Sequence, residues 1–362
     1  MKHTALLFTL LTLMLGSAFA ADKFTDVTED AGIRFVHHSG AFGKKYLPET
    51  MGSGAAFFDY NGDGWLDIYF ANGTSWPDGE KKESLPSLYR NDQDGTFTNV
   101  TRSAGLAVEF YGVGVVAADY DNDGDPDLYV TALAQDRLFQ NQGDGTFKDV
   151  TSEAGLANSE YGTSAAFLDY DKDGHLDLFV ANYVQWTRET DIYCSLDGEN
   201  KSYCTPEAYK GASPVLYRNL GNGKFEDVTR AAGLYDATNK GLGVLVFDYN
   251  NDGWMDIMMA NDTQPNKLWE NTGQGGFEEV GVLAGIAFSE DGVARGAMGI
   301  DAGDYDNSGF LSVVIGNFSN EMISLYHNEQ TGFFIDDAPT STVGPSSLLS
   351  LTFGAFFFDY DL

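Results

Sequence analysis

Short apolar runs alternate with tight polar loops along most of this chain, and the alternation repeats. A glycine-rich apolar run, Gly54-Ala55-Ala56-Phe57-Phe58, enters a polar loop, and a second run, Leu66-Asp67-Ile68-Tyr69-Phe70, leaves it. A third, Leu88-Tyr89-Arg90-Asn91, turns through Asp94-Gly95 into a fourth, Thr96-Phe97-Thr98-Asn99-Val100. Runs of this length between turn residues predict strands, and Asp-Gly between two of them signals a hairpin. Matching hairpins run from Asn141 to Val150, Asn219 to Val228 and Asn271 to Val280, with a decayed copy from Asn328 to Asp336. Each unit therefore predicts four antiparallel strands, the composition of a propeller blade.

The loop between the first and second strands fixes the period. Its frame, Asp-x-(Asp/Asn)-x-Asp-Gly-x-x-Asp, starts at Asp59, Asp119, Asp169 and Asp248, with a weakened copy at Asp304 and a sixth start at Asp359. The starts are 60, 50, 79, 56 and 55 residues apart. Periods in this range belong to propellers or other repeat arrays. The expected fold is all-β: a β-propeller of four-stranded blades carrying calcium-binding Asp loops. Phe24-Thr25-Asp26-Val27-Thr28 copies a fourth strand with no three strands before it, and Phe353 to Tyr360 opens a unit as the chain stops. Propellers close by completing the last blade with a terminal strand, which removes free edges. The expectation is five full blades plus a partial one, incomplete at the C-terminus, cut from a seven-bladed parent. The propeller spans 21–362, with a cysteine-containing insertion at about 183–214 inside the longest interval.

The loops carry the candidate chemistry. Calcium takes six to eight oxygens at roughly 2.3–2.6 Å, several of them carboxylates. The candidate ligands are Asp59, Asn61, Asp63, Trp65 and Asp67; Asp119, Asp121, Asp123, Asp125 and Asp127; Asp169, Asp171, Asp173, His175 and Asp177; and Asp248, Asn250, Asp252, Trp254 and Asp256. Position seven varies in character (Trp65, Asp125, His175, Trp254), which fits a ligand offered through the backbone carbonyl. An EF-hand fails, because its twelfth position needs a bidentate Glu and these loops place Phe70, Val130, Val180 and Met259 there. The expected cofactor is Ca2+ at about four sites. The loops at Asp119 and Asp169 bind most tightly, those with Asn61 and Asn250 more weakly. The loop at Asp304, with Ser308 and Ser312 at positions five and nine, is weak or empty.

Composition narrows the partners. Net charge is −33, from 54 acidic against 21 basic residues, which argues against nucleic acid and anionic membrane surfaces. Such acidity can signal disorder, but 43% hydrophobic and 14% aromatic residues supply a core. Lys2 and His3 precede an apolar run from Ala5 to Leu15 and the small-x-small site Ala18-Phe19-Ala20, so residues 1–20 read as a signal peptide. The mature chain is expected to be exported, periplasmic or extracellular, with no membrane insertion. In that compartment Cys194 and Cys204 are expected to form a disulfide. Aromatic residues around them (Trp186, Tyr193, Tyr203, Tyr209) make the insertion either a recognition surface or a cover for one blade edge.

The loops, together with Asn141-Gln142-Gly143-Asp144-Gly145-Thr146-Phe147-Lys148-Asp149-Val150-Thr151 through Ala154-Gly155-Leu156, resemble FG-GAP/VCBS repeat proteins. Phe24 to Thr28, Gly32-Ile33-Arg34-Phe35 and Tyr46-Leu47-Pro48-Glu49-Thr50-Met51-Gly52 are similar to the cartilage acidic protein / ASPIC-UnbV group. That resemblance implies an integrin-α-like propeller whose Asp loops hold structural calcium, and an ASPIC/UnbV segment beyond the present C-terminus.

Catalytic parts are missing from the sequence. There is no Gly-x-Ser-x-Gly elbow, no His-Glu-x-x-His, no phosphate-cradling loop and no Cys-His pair. Adjacent side chains in an extended strand point to opposite faces, so His37 and His38 do not share a ligand easily. The expected function is a secreted, non-catalytic calcium-binding scaffold for a protein or glycan ligand. The alternative is a carbohydrate-active enzyme, polysaccharide lyase-like, on the same scaffold.

Overall fold

A computed structural model describes residues 24–359. The signal peptide expected at 1–20 and the sixth Asp loop beyond Asp359 lie outside the described residues. Five four-stranded antiparallel sheets form the blades, each with its strands side by side in chain order. Blade 1 holds β1 (Ala55–Phe58), β2 (Asp67–Phe70), β3 (Ser87–Asn91) and β4 (Phe97–Asn99). Blade 2 holds β5 (Gly112–Ala118), β6 (Asp127–Ala132), β7 (Arg137–Asn141) and β8 (Phe147–Asp149). Blade 3 holds β9 (Gly162–Leu168), β10 (Asp177–Asn182), β11 (Val215–Asn219) and β12 (Phe225–Asp227). Blade 4 holds β13 (Gly241–Phe247), β14 (Asp256–Asn261), β15 (Lys267–Asn271) and β16 (Phe277–Glu279). Blade 5 holds β17 (Ala297–Gly303), β18 (Ser312–Asn317), β19 (Ser324–Asn328) and β20 (Phe334–Asp336).

The second strands explain why the apolar runs lack alternation. Every residue of β6, β10, β14 and β18 is buried, because neighbouring blades cover both faces of the sheet. Leu128 and Val130 of β6 pack toward blade 1 with Phe58, Tyr69 and Leu88, whereas Tyr129 packs toward blade 3 with Leu178, Val180 and Tyr217. The pattern repeats on β14, with Ile257 and Met259 on one side and Met258 on the other. The first strands line the axis and approach one another through glycine. A Cβ on Gly114 would lie 2.3 Å from the Thr163 carbonyl oxygen, and one on Gly243 2.3 Å from that of Met298.

The two ends of the described chain follow the blade plan without forming strands. Ala31 accepts the Phe97 N–H at 2.8 Å, the bond that Ala104, Ala154, Ala232 and Ala284 make to the fourth strand of each following blade. The segment from Phe353 to Phe358 runs along β17, where the Phe357 N–H donates to Asp301 Oδ2 at 2.8 Å, and the Phe358 ring meets Phe24 at 6.1 Å. Neither segment is assigned as a strand among the described residues.

The Asp loops and third-to-fourth-strand hairpins share one face of the disc. The opposite face carries a cap, in which residues 36–52 pack against the insertion at 183–214. Tyr46 sits edge-on to Trp76 and Trp186, Tyr203 donates to Glu49 Oε2 at 3.1 Å, and Lys201 pairs with Asp191. Cys194 and Cys204 are joined by a disulfide with Cα atoms 5.3 Å apart. Among the described residues, no helix is long and apolar enough to cross a membrane.

One buried acid outside the loops makes a prediction. Asp136 is 2% exposed and accepts from the Ala132 N–H, the Tyr129 hydroxyl and the Asn158 amide at 2.7–2.8 Å. Burial outweighs those bonds and pushes its pKa up to about 6. The folded state therefore favours the protonated acid. That contribution is full below the unfolded value near 3.8 and is lost as pH rises through about 6. A shift of this size corresponds to about 3 kcal/mol. Asp136→Asn, the residue type that blade 4 places there as Asn266, should therefore gain on the wild type by about that much between pH 4 and pH 7.5 in urea unfolding. A constant difference between the two proteins across that range would show that folding leaves the Asp136 pKa unshifted.

Candidate metal centre

Each Asp loop is closed by its own carboxylates. In loop 2 (119–127), Asp119 accepts the Asp123 N–H at 3.0 Å and the Gly124 N–H at 2.9 Å, and Asp123 accepts the Asp125 N–H at 3.0 Å. The same three bonds close loop 1 (59–67), loop 3 (169–177) and loop 4 (248–256). They turn the chain sharply at position four, where Asn122, Lys172 and Asn251 take φ of 61°, 58° and 59°.

Position nine anchors the loop to the rest of its blade. Asp127 is fully buried; its Oδ2 accepts the Tyr120 N–H at 3.2 Å and its Oδ1 the Asn141 N–H at 2.7 Å. Asp67, Asp177 and Asp256 are equally buried and accept the matching pairs. Burial raises all four carboxyls, Asp127 to about 8 and Asp177 and Asp256 to about 7. Such groups favour a proton or a compensating cation.

The asparagine that opens each hairpin ties one blade to the next. The Asn219 amide donates to the Tyr120 carbonyl in the preceding blade's loop at 2.8 Å and to the Leu176 carbonyl in its own at 3.0 Å. Its oxygen accepts the Gly221 N–H at 3.0 Å. Asn141, Asn271 and Asn328 repeat this three-way link. The tyrosine at position two also packs on the next blade's fourth strand, Tyr120 on Phe225 at 5.6 Å and Tyr170 on Phe277 at 5.9 Å.

Two loops gather three carboxylates. One oxygen each from Asp119, Asp121 and Asp127 lies within 4.8 Å of the others, and the same holds for Asp169, Asp171 and Asp177. Oxygens that share a calcium ion at roughly 2.3–2.6 Å spread over about that distance. Asp121 Oδ1 and Asp171 Oδ1 are buried without a hydrogen-bond partner. An orphaned buried carboxylate oxygen is costly unless a cation meets it. The donor set is oxygen alone, which suits a hard cation. These residues fit calcium: positions one, three and nine would hold it in each of the two loops.

The other candidates fall elsewhere. In loops 1 and 4 the asparagine at position three folds onto position five. Asn61 accepts the Asp63 N–H at 3.2 Å, and Asn250 the Asp252 N–H at 3.0 Å. Position five (Asp63, Asp123, Asp173, Asp252) braces the turn, outside the two triads. At position seven the Asp125, His175 and Trp254 side chains lie over Gly143, Gly221 and Gly273 of the hairpin, where a Cβ would come within 2.5–2.9 Å of them. Trp65 stays 48% exposed, and blade 1 has Gln93 in place of that glycine. In loop 5 (304–312), Ser312 keeps the bond to the Asn328 N–H at 3.1 Å without the charge, and Asp306 pairs with His327 at 2.9 Å. Sequence reasoning missed Gln140 and Arg218, which hold the second oxygen of Asp121 and Asp171 at 2.6 and 2.7 Å. The signal available was positional, since both stand immediately before a hairpin asparagine.

The sequence profile of FG-GAP-like repeats matches residues 59–130, 131–180, 190–259 and 248–315. Cartilage acidic protein 1 of Mus musculus is 31% identical over 130 residues, 36% of this chain and 18% of that protein. Cartilage acidic protein 1 of Xenopus tropicalis is 27% identical over 154 residues, 41% of this chain and 21% of that protein. The matched region thus spans about a fifth of these relatives' length. Among solved structures, an Agrocybe aegerita lectin described as recognising non-reducing terminal N-acetylglucosamine superposes with a TM-score of 0.45 at 18% identity, covering 79% of this chain and 65% of that one.

The interblade asparagine gives the prediction here. Asn219→Ala strands two carbonyls and an N–H, and should cost about 3 kcal/mol, since each buried polar group left unpaired costs roughly 1–3 kcal/mol. Among the described residues, the Asn91 side chain at the corresponding place in blade 1 reaches only the Leu66 carbonyl of its own loop and the Gln93 N–H. Asn91→Ala should cost about 1 kcal/mol. Equal losses in urea unfolding would show that the interblade bond contributes nothing.

Proposed function

Since the chain belongs to the FG-GAP-like repeat family, we propose that it is a non-catalytic β-propeller scaffold whose Asp loops bind calcium and whose opposite face contacts a protein or glycan ligand. The observation that carries the calcium reading is the orphaned, buried oxygen of Asp121 and Asp171 within each carboxylate triad. Loops 1 and 4, each with one amide oxygen in place of a carboxylate, are weaker sites on this reading, and loop 5 is weak or empty. Calcium offsets repulsion among carboxylates that folding forces together, so its binding free energy adds to the free energy of folding.

The contact surface follows from the division of labour between faces. The loop face is occupied by its own bonding. The cap face holds a cleft of about 900 Å³ between blades 1, 2 and 3, lined among others by Phe110, Leu133, Arg137, Glu160, Gln185 and Arg188. Its lining sets Arg137 and Arg188 against Glu160 and Glu189, and both arginines are already paired, Arg137 with Asp149 and Arg188 with Asp78 and Glu189. Export to the periplasm or extracellular space agrees with the disulfide and with the need for free calcium.

Chelator should lower the melting temperature of the calcium-loaded protein by about 5 °C or more, because ligand at a hundredfold its Kd adds about 2.7 kcal/mol per site. In calcium calorimetry, Asp169→Ala should lose one tight site and Asp304→Ala none. An unchanged melting temperature with chelator, or equal site loss in both variants, would overturn this assignment.

A further inference from the structure

The residue immediately before the hairpin asparagine is of four types across the five blades, arginine standing in blades 1 and 3, and in four of the five its side chain meets the Asp loop. Gln140 Nε2 donates to Asp121 Oδ2 at 2.6 Å. Arg218 Nη2 lies 2.7 Å from Asp171 Oδ2 and 3.2 Å from Asp173 Oδ2. Glu270 accepts from the hydroxyl of Tyr249, position two of loop 4, at 2.9 Å, and His327 stands 2.9 Å from Asp306. Arg90 turns instead to Asp92 on its own strand at 2.7 Å.

Resting on the calcium reading above, we propose that this third-strand side chain is a positioning residue that sets the calcium affinity of its blade's loop. Loop 2, served by Gln140, is then a tighter site than loop 3, served by Arg218. The two loops offer the same four carboxylates at positions one, three, five and nine. They close with the same internal bonds, all between 2.9 and 3.0 Å, and each leaves the same oxygen of position three unpartnered. Positions four (Asn122, Lys172) and seven (Asp125, His175) also differ, but their side chains turn to the neighbouring loop and to the hairpin. At the triad itself what differs is the group on the other oxygen of position three.

An amide orients that carboxylate without adding charge. A guanidinium orients it too, but brings a positive charge that no accessible pH removes. A dication entering loop 3 meets that charge across one carboxylate. Either Arg218 stays and repels the ion, or it swings away and forfeits both of its ion pairs. The Arg218 side chain is 40% exposed, so solvent and salt screen the effect and hold it near one order of magnitude in affinity. Sequence alone ranks the two loops as equals; the strand beneath them separates the pair.

The test is calcium titration calorimetry on the wild-type chain, on Arg218→Gln and on Gln140→Arg. Each variant is repeated with Asp119→Ala or Asp169→Ala to silence the other loop. Arg218→Gln should tighten the loop 3 site about tenfold, and Gln140→Arg should weaken the loop 2 site by about the same factor. Arg218→Lys should keep the weak affinity of loop 3. The gain in Arg218→Gln should shrink between low and high salt, which loss of a merely structural contact would not produce. Affinities within twofold of wild type in both Gln140→Arg and Arg218→Gln, with every site still titrating, would overturn the proposal and leave the calcium reading standing. Absence of binding heat in the wild type would overturn both.

Discussion

A buried carboxylate with two backbone N–H groups aimed at it holds four of the five Asp loops to their blades. At Asp67, Asp127, Asp177 and Asp256, one N–H comes from the tyrosine at position two and the other from the asparagine that opens the hairpin. Those bonds set the distance between loop and hairpin and so place the asparagine where its amide reaches the preceding blade. Loop 5 separates the hydrogen bond from the charge. Ser312 supplies an oxygen to the Asn328 N–H, and Asn328 still bonds to the Tyr249 and Leu311 carbonyls. A neutral hydroxyl is thus enough to seat the hairpin. Four of the five loops nevertheless bury a carboxyl there, whose charged form is expensive for a purely structural role. The charge makes sense where a cation sits against it.

Blade-to-blade packing is apolar and therefore non-directional. The clusters that join Phe58 to Phe147, or Tyr170 to Phe277, reward contact but tolerate sliding. The asparagine bonds add direction, because each amide has one carbonyl to find on either side of the interface. Together the two kinds of contact turn a row of similar sheets into a disc with one register. Neither would do so alone, since a four-stranded blade cannot cover both of its faces.

What the sequence made legible follows from range. The Asp loops and hairpins are local features whose residues lie within nine or ten positions of one another, so their spacing carries the geometry. The five blades could be placed from that spacing, and so could the difference between Asp121 and Asn61. The interblade reach of Asn141 or Asn219 could not, because the carbonyls they bind, on Tyr60 and Tyr120, are 81 and 99 residues away. Arg218 is harder still. Its place before the asparagine holds four residue types over five blades, and its contact with Asp171 spans the whole insertion. The cap was legible only as aromatic composition. That Tyr46, Trp76 and Trp186 form one cluster needs the segment at 36–52 to fold over the insertion, which no local pattern shows.

The two faces of the disc are free to vary to different degrees. On the loop face, position four of one loop reaches the next: Asn122 bonds to the Gly174 carbonyl at 3.0 Å, Lys172 lies 3.8 Å over the Trp254 ring, and Asn251 bonds to the Gly309 carbonyl at 3.3 Å. A change in one loop there is felt by its neighbour. On the cap face the insertion at 183–214 interrupts blade 3 between β10 and β11, yet strand register is untouched. Leu178 pairs with Tyr217 and Val180 with Val215, just as Leu128 pairs with Phe139 and Val130 with Arg137 in the uninterrupted blade 2. The Asp loop and hairpin hold that register from the far end of the strands, so the connection at the near end can grow without cost to the blade. A propeller built this way keeps its bonding chemistry on one face and leaves the other open to acquire contacts.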